Sequence, residues 1–177
     1  RFSRVEGLPF LGICWGFQAA VIALARDFGY PCACSQEVEE DAMPPHAIVV
    51  KRRDGILRKG ASKVRLPEGR MQALYAESSK SVAESSVERY RNRFEVWPGV
   101  KEQLQEHGVL FGFGPDNEVD AFELPTHPFY MDVQYHPEFT SNRQRPAPLF
   151  VGLIRAALAR KSSKEWRTNV KAVSYVS

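Results

Sequence analysis

Two short stretches carry residues able to do chemistry. Gly12-Ile13-Cys14-Trp15-Gly16 sets one cysteine between two glycines, and Gln134-Tyr135-His136-Pro137-Glu138-Phe139 sets an imidazole two residues before a carboxylate. A thiolate is a nucleophile, an imidazole can move its proton, and a carboxylate can fix the imidazole's tautomer. On an extended backbone, residues two apart point the same way. Glu138 could then hold one ring nitrogen of His136 while the other faces the thiol. A free thiol is only a few per cent ionised near neutrality, so a helix N-terminus and a nearby imidazolium are expected to raise that fraction. Each motif alone has an ordinary structural explanation: a buried cysteine in a tight turn, or a histidine capping a strand. Their presence in one chain favours chemistry.

The elements around these stretches are those such a site needs. Leu8 to Cys14 is a short apolar run ending at a glycine-flanked turn and reads as a buried, parallel strand. Phe17, Ala20, Val21, Leu24 and Phe28 then repeat at helical spacing until Gly29 and Pro31. Strand, tight turn and helix are the context in which a G-x-C-x-G sequence becomes a nucleophile elbow. Gly12 and Gly16 are expected to relieve crowding there. A strand is expected over His46 to Lys51, an exposed loop or hairpin over Lys51 to Arg70, and a short helix over Arg70 to Ala76. Residues of β type run from Arg89 to Trp97, and a short helix follows from Val100 to His107. Strands over 109–113, 119–124 and 129–135 are separated by turn residues. A final helix places Phe150, Leu153, Ile154, Ala157 and Leu158 on one face, and a polar tail begins at Lys161. The mixture implies an α/β domain with a partly parallel sheet flanked by helices.

Composition narrows the class. The chain has 177 residues, 44% apolar and 25% charged, with a formal net charge of +3. That is globular composition. The charge is too small to indicate nucleic acid, and the basic run Lys51-Arg52-Arg53 reads as a solvated face. No apolar run is long enough for a membrane span. Cys14, Cys32 and Cys34 form neither a disulfide framework nor a zinc set, which suits the cytoplasm or another reducing compartment.

The two motifs together resemble the class I glutamine amidotransferases, and among these the glutaminase domains of the CTP synthase family. Four stretches carry the resemblance: Leu8 to Gln18, Ala33-Cys34-Ser35-Gln36-Glu37, the arginine-rich Glu88 to Val96, and His127 to Phe139. The arginine-rich stretch separates this family from other amidotransferases. The similarity runs over nearly all of residues 6 to 160. It implies a flavodoxin-like fold in residues 1–160, corresponding to the family domain without its first strands and its oxyanion Gly-Gly loop, followed by the tail 161–177. A strand that opens such a sheet would leave one edge unpaired.

The resemblance also implies roles. Cys14 would attack the side-chain amide of glutamine, His136 would protonate the departing ammonia and then activate water, and Glu138 would orient His136. The Trp15 N–H would be an oxyanion donor. Gln18, Glu37 and Arg93 would contact the bound glutamine, Glu37 at its α-ammonium and Arg93 at its α-carboxylate, which a guanidinium fork suits. No cofactor is implied in this domain. The partner would be a synthetase domain or chain that uses ATP and Mg to aminate UTP, in an oligomer or larger assembly, with GTP as effector. Lys59 to Leu66 corresponds weakly to the family's lid, Trp15 stands for a leucine, and Tyr90 and Asn92 stand for two histidines. The competing reading is a catalytically silent domain of this fold serving as a structural subunit or binding module.

Overall fold

A computed structural model describes residues 1–79 and 83–162. A short helix α1 (Phe2–Val5) precedes strand β1 (Phe10–Ile13), and helix α2 (Trp15–Asp27) follows with Cys14 joining the two. Next come β2 (Cys34–Ser35), β3 (Ala47–Lys51), β4 (Arg58–Arg65) and α3 (Arg70–Ser79). The second half runs β5 (Ser85–Asn92), β6 (Phe94–Val96), α4 (Lys101–Glu106), β7 (Leu110–Phe113), β8 (Val119–Glu123), β9 (Tyr130–Val133) and α5 (Pro148–Ser162). Helix α5 thus runs past the boundary expected at 160, and the tail from 163 lies outside the described residues.

The strands form two sheets. One has six strands in the order β1-β9-β8-β7-β4-β5, and the other has three in the order β2-β3-β6. Parallel pairing is confined to β1 with β9 and β2 with β3, so the sheet is mixed, as a partly parallel α/β domain requires. Strand β1 stands at the end of its sheet, with β9 as its one partner among the described residues. Strand β9 is the spine. Tyr130 packs with Phe17, Val21 and Leu24 of α2, whereas Met131, Val133 and Tyr135 pack with Met71 and Tyr75 of α3 and Leu149 of α5. This is the two-residue alternation of a strand buried on both faces.

Three expectations need correction. Residues 51–70 are not a loop, because β4 occupies eight of them and pairs along its whole length with β5, from Arg58↔Asn92 to Arg65↔Ser85. Its Lys, Ser and Arg side chains hide the alternation, since of the half turned inward only Val64 is buried and Arg58, Gly60 and Ser62 are partly so. Helix α5 buries Leu149 and Gly152 with Leu153 and Ala156 packed alongside, while Ile154 and Leu158 are 58% and 60% exposed. Gly152 faces this interface: a β-carbon there would run into the side chains of Leu74 of α3 (2.7 Å) and Phe129 (2.8 Å), so the glycine leaves the room that these two side chains fill. The run Lys51-Arg52-Arg53 is a solvated face only at Lys51 and Arg53, which are exposed; Arg52 is buried among Asp54, Glu95 and Glu118.

Candidate functional site

Cys14 lies between β1 and α2 with φ 54° and ψ −107°. A residue with a β-carbon held at positive φ costs on the order of 1–3 kcal/mol, so the surroundings must impose it. Cys14 N–H donates to Val133 O (2.8 Å), extending the β1–β9 pairing, and Gln18 N–H donates to Cys14 O (3.2 Å), starting the helix. Gly12 is required here: a β-carbon would overlap the Asp132 carboxyl and press on the Gly16 backbone at 2.9 Å. Gly16 is not, since a β-carbon there would meet nothing within 4 Å; the crowding expected at both glycines exists only at the first.

The half-buried thiol responds to its surroundings differently from the sequence expectation. Burial pushes the Cys14 thiol up, and the carboxylates of Glu37 and Glu138 add to that push. The Trp15 N–H and the nearby Gln134 side-chain amide act against it. The helix end does favour the thiolate, yet desolvation outweighs it.

His136 and Glu138 pair, with Nδ1 and Oε1 2.6 Å apart. The backbone between them is not extended, because Pro137–Phe139 forms a 3-10 turn. The turn folds the carboxylate back onto the ring, and Phe139 lies against the imidazole at 5.2 Å between centroids. Nδ1 is thereby occupied, while Nε2 is buried without a protein partner. His136 is further anchored by its N–H, which donates to Arg89 O of β5 (2.8 Å). The parallel register Ile13↔Val133 puts Cys14 and the segment leading to His136 at the same end of neighbouring strands.

A cavity of about 230 Å³ opens beside the thiol. Cys14, Trp15, Gln18, Glu37 and Arg93 all line it, together with Leu57, Arg91, Asn92 and Phe94. His136 and Glu138 are not among its lining residues; Glu138 is nevertheless near enough to act on the thiol through its charge. Arg93 sits where the chain leaves β5 in the larger sheet and enters β6 in the smaller. Asn92 makes that corner, its buried side chain donating to Phe94 O (3.0 Å). Glu37 follows β2, with its N–H held by Ser35 Oγ (3.1 Å). Among the described residues no group of three or more His, Cys, Asp or Glu could hold a metal ion. No helix there is long and apolar enough to cross a membrane.

Sequence reasoning passes over several residues of this site. Gln134 is 1% exposed and accepts a hydrogen bond from Gln18 Nε2 (3.0 Å). It stands within the His136 motif, yet its type and spacing alone assign it no role. Asp132 is fully buried beside Gly12, and burial holds its carboxyl well above the usual carboxylate range. A third group is the ion cluster behind the cavity. Arg58 Nη1 reaches both oxygens of Asp120 (2.9 and 2.8 Å) and Glu118 (2.8 Å), with its guanidinium 3.5 Å over the Tyr90 ring. No spacing rule links 58 to 118 and 120; only the sheet order brings them together.

Comparison with known proteins identifies the family. Residues 2–156 match the model of class I glutamine amidotransferases. The chain belongs to this family. A CTP synthase of Methanopyrus kandleri is 42% identical over 166 residues, covering 89% of the chain and 30% of that enzyme. A CTP synthase of Archaeoglobus fulgidus is 38% identical over 177 residues, covering 93% of the chain and 32% of that enzyme. The chain therefore spans about a third of the length of these relatives. Among solved structures, the glutaminase domain of Trypanosoma brucei CTPS with bound acivicin superposes with a TM-score of 0.78 at 29% identity, covering 89% of this amidotransferase chain and 62% of that one.

Proposed function

We propose that this amidotransferase chain hydrolyses glutamine to glutamate and ammonia, and that the ammonia aminates UTP to CTP in a synthetase domain or chain. The observation that carries the reading is the cavity itself, where one thiol, the carboxylate of Glu37 and the guanidinium groups of Arg91 and Arg93 converge. Glu37 and Arg93 offer the two charges that an amino-acid zwitterion needs, and Cys14 lies where its side chain would reach.

The chemistry follows from the positions. Cys14 gives its thiol proton to His136 Nε2, and the thiolate attacks the side-chain carbonyl carbon and forms the S–C bond. The Trp15 N–H, already directed at the sulfur, supplies a donor to the oxygen as it gains charge. His136, with Nδ1 held by Glu138, gives the proton from Nε2 to the leaving nitrogen, and the C–N bond breaks. The glutamyl thioester remains. His136 then takes a proton from water, which attacks the same carbon; the S–C bond breaks and glutamate leaves. Nothing in this sequence calls on a cofactor. ATP and Mg belong to the phosphoryl step on UTP in the synthetase part, with GTP as effector, and residues 1–160 act as the glutaminase unit.

The test compares two activities of the protein together with its synthetase part. Cys14→Ala is expected to abolish glutamine-dependent CTP formation and to leave the reaction with added ammonia nearly intact. Loss of both activities would assign Cys14 to holding the fold.

A further inference from the structure

Two buried carboxamides stand behind the thiol in a fixed order. Gln134 is 1% exposed and Gln18 is 4% exposed. Gln18 Nε2 donates to Gln134 Oε1 at 3.0 Å. That bond fixes the direction of both amides, since each has one donor end and one acceptor end. The two remaining ends, Gln134 Nε2 and Gln18 Oε1, are buried without a protein partner. Buried polar ends are costly unless something meets them.

Each end has an evident counterpart. Gln134 follows Val133, whose carbonyl accepts the Cys14 N–H (2.8 Å), and its unpaired Nε2 lies near enough to the sulfur to favour a thiolate there. Gln18 is one helical turn on from Cys14, its N–H bonded to Cys14 O (3.2 Å), and its side chain lines the cavity. The acceptor end of the chain of amides is therefore the end left for a ligand.

We infer that Gln134 is a positioning residue with two effects: its N–H supports the Cys14 thiolate, and its carbonyl locks Gln18 so that an acceptor oxygen faces the ligand. The inference rests on the glutaminase reading. It makes the pocket selective for a carboxamide, whose NH2 can donate to Gln18 Oε1. A carboxylate offers only acceptors there and is repelled, so glutamate is released once the amide has been hydrolysed. Without the lock, the Gln18 amide can turn over and offer NH2 instead, which favours the carboxylate.

Two substitutions separate the effects. Gln134→Glu keeps an acceptor for Gln18 and removes the donor to sulfur. Gln134→Met removes both. The first measurement is the rate of Cys14 alkylation by iodoacetamide against pH, read by peptide mass. The second is the ratio of glutamine to glutamate affinity, taken from protection against that alkylation. Both variants are expected to alkylate about tenfold more slowly near neutrality, with the profile displaced to higher pH, the scale of one hydrogen bond to a charged group. Only Gln134→Met is expected to lose selectivity, about tenfold. A wild-type pH profile in both variants, or unchanged selectivity in Gln134→Met, overturns the inference. Melting temperature reports simple unfolding, which the Glu variant, of nearly the same shape, controls for. Alkylation needs no turnover. If the wild-type protein failed to hydrolyse glutamine, the function proposed above would fall, while the alkylation profiles would still judge the Gln134 to Cys14 arm.

Discussion

The cavity is built by two sheets that contribute different things. The six-stranded sheet brings Cys14 to the cavity from the end of β1 and places His136, outside the cavity lining, beyond β9 at the same end of the neighbouring parallel strand. The three-stranded sheet brings Glu37 from beyond β2 and Arg93 from the entrance to β6. The first group is partly buried, anchored in backbone, and in the case of Cys14 strained. The second is exposed and charged at its tips. Under the proposed function, this division would separate bond-breaking from ligand capture. Changes on the larger sheet should act on turnover, and changes on the smaller one on affinity. Between them stands the ion cluster, with Arg52 just past β3 and Glu95 in β6 on the smaller sheet's side and Arg58, Glu118 and Asp120 on the larger sheet's side.

The largest effect is expected at Cys14. Replacing it with alanine removes the covalent route, and kcat for glutamine should fall by at least about 10⁴-fold, measured as ammonia release. Glutamine binding should survive, because Arg93 and Glu37 are untouched. Next is Glu138→Gln, which removes the carboxylate that holds His136 Nδ1 at 2.6 Å and orients the ring. A fall of about 10²-fold in kcat with KM nearly constant is expected. If KM rose instead, Glu138 would belong with the binding group.

Arg93→Ala sharpens the comparison from the other side. The α-carboxylate does not react, so its partner binds ground and transition states alike. KM should rise by roughly 10- to 100-fold with kcat little changed. A normal KM would remove Arg93 from the site and weaken the division between the sheets.

The smallest effect on activity is expected in the ion cluster. Burial pushes Asp120 up to about 6, against the opposing pull of Arg58. The folded state thus holds this proton more tightly than the unfolded chain does. The stability it contributes is present below the ordinary carboxylate range and is lost as pH rises through about 6. Asp120→Asn, unable to titrate, should flatten that part of the stability curve, read from urea melts between about pH 4 and about 7. Activity should stay within about twofold of wild type.

The division also explains what can be read from the chain. The strand, turn and helix around Cys14 are legible because local patterns specify them: an apolar run, a glycine without room for a β-carbon, then Phe17, Val21 and Leu24 at helical spacing. The pairing of His136 with Glu138 is legible because the two are near neighbours, although the 3-10 turn that joins them is not. Glu37 and Arg93 come only through family resemblance, since an exposed charge has no local signature. The β4 ribbon is hidden because its inward residues include Gly60 and Ser62, which carry no hydrophobic period. The face of α5 is misleading in the sequence because a glycine, Gly152, lies on the buried side and leaves room for the Leu74 and Phe129 side chains, while the larger Ile154 and Leu158 face out. The Gln18–Gln134 bond and the cluster at Arg58 depend on tertiary neighbours, which spacing along the chain does not encode. The rise of the Cys14 thiol is invisible for a related reason: the sequence shows a helix end but not the burial that opposes it.

The central claim is that Cys14, alone of the three cysteines, is a nucleophile presented to bound glutamine. Cys34 is buried beside Ala33 in the smaller sheet and Cys32 is exposed, so access alone would favour Cys32. The most direct measurement is peptide mass mapping after exposure to a glutamine-like electrophile, with and without excess glutamine. The adduct is expected on Cys14, suppressed by glutamine, with Cys32 and Cys34 unmodified. An adduct on Cys32 or Cys34 in place of Cys14, or labelling of Cys14 that glutamine leaves unchanged, would contradict the account.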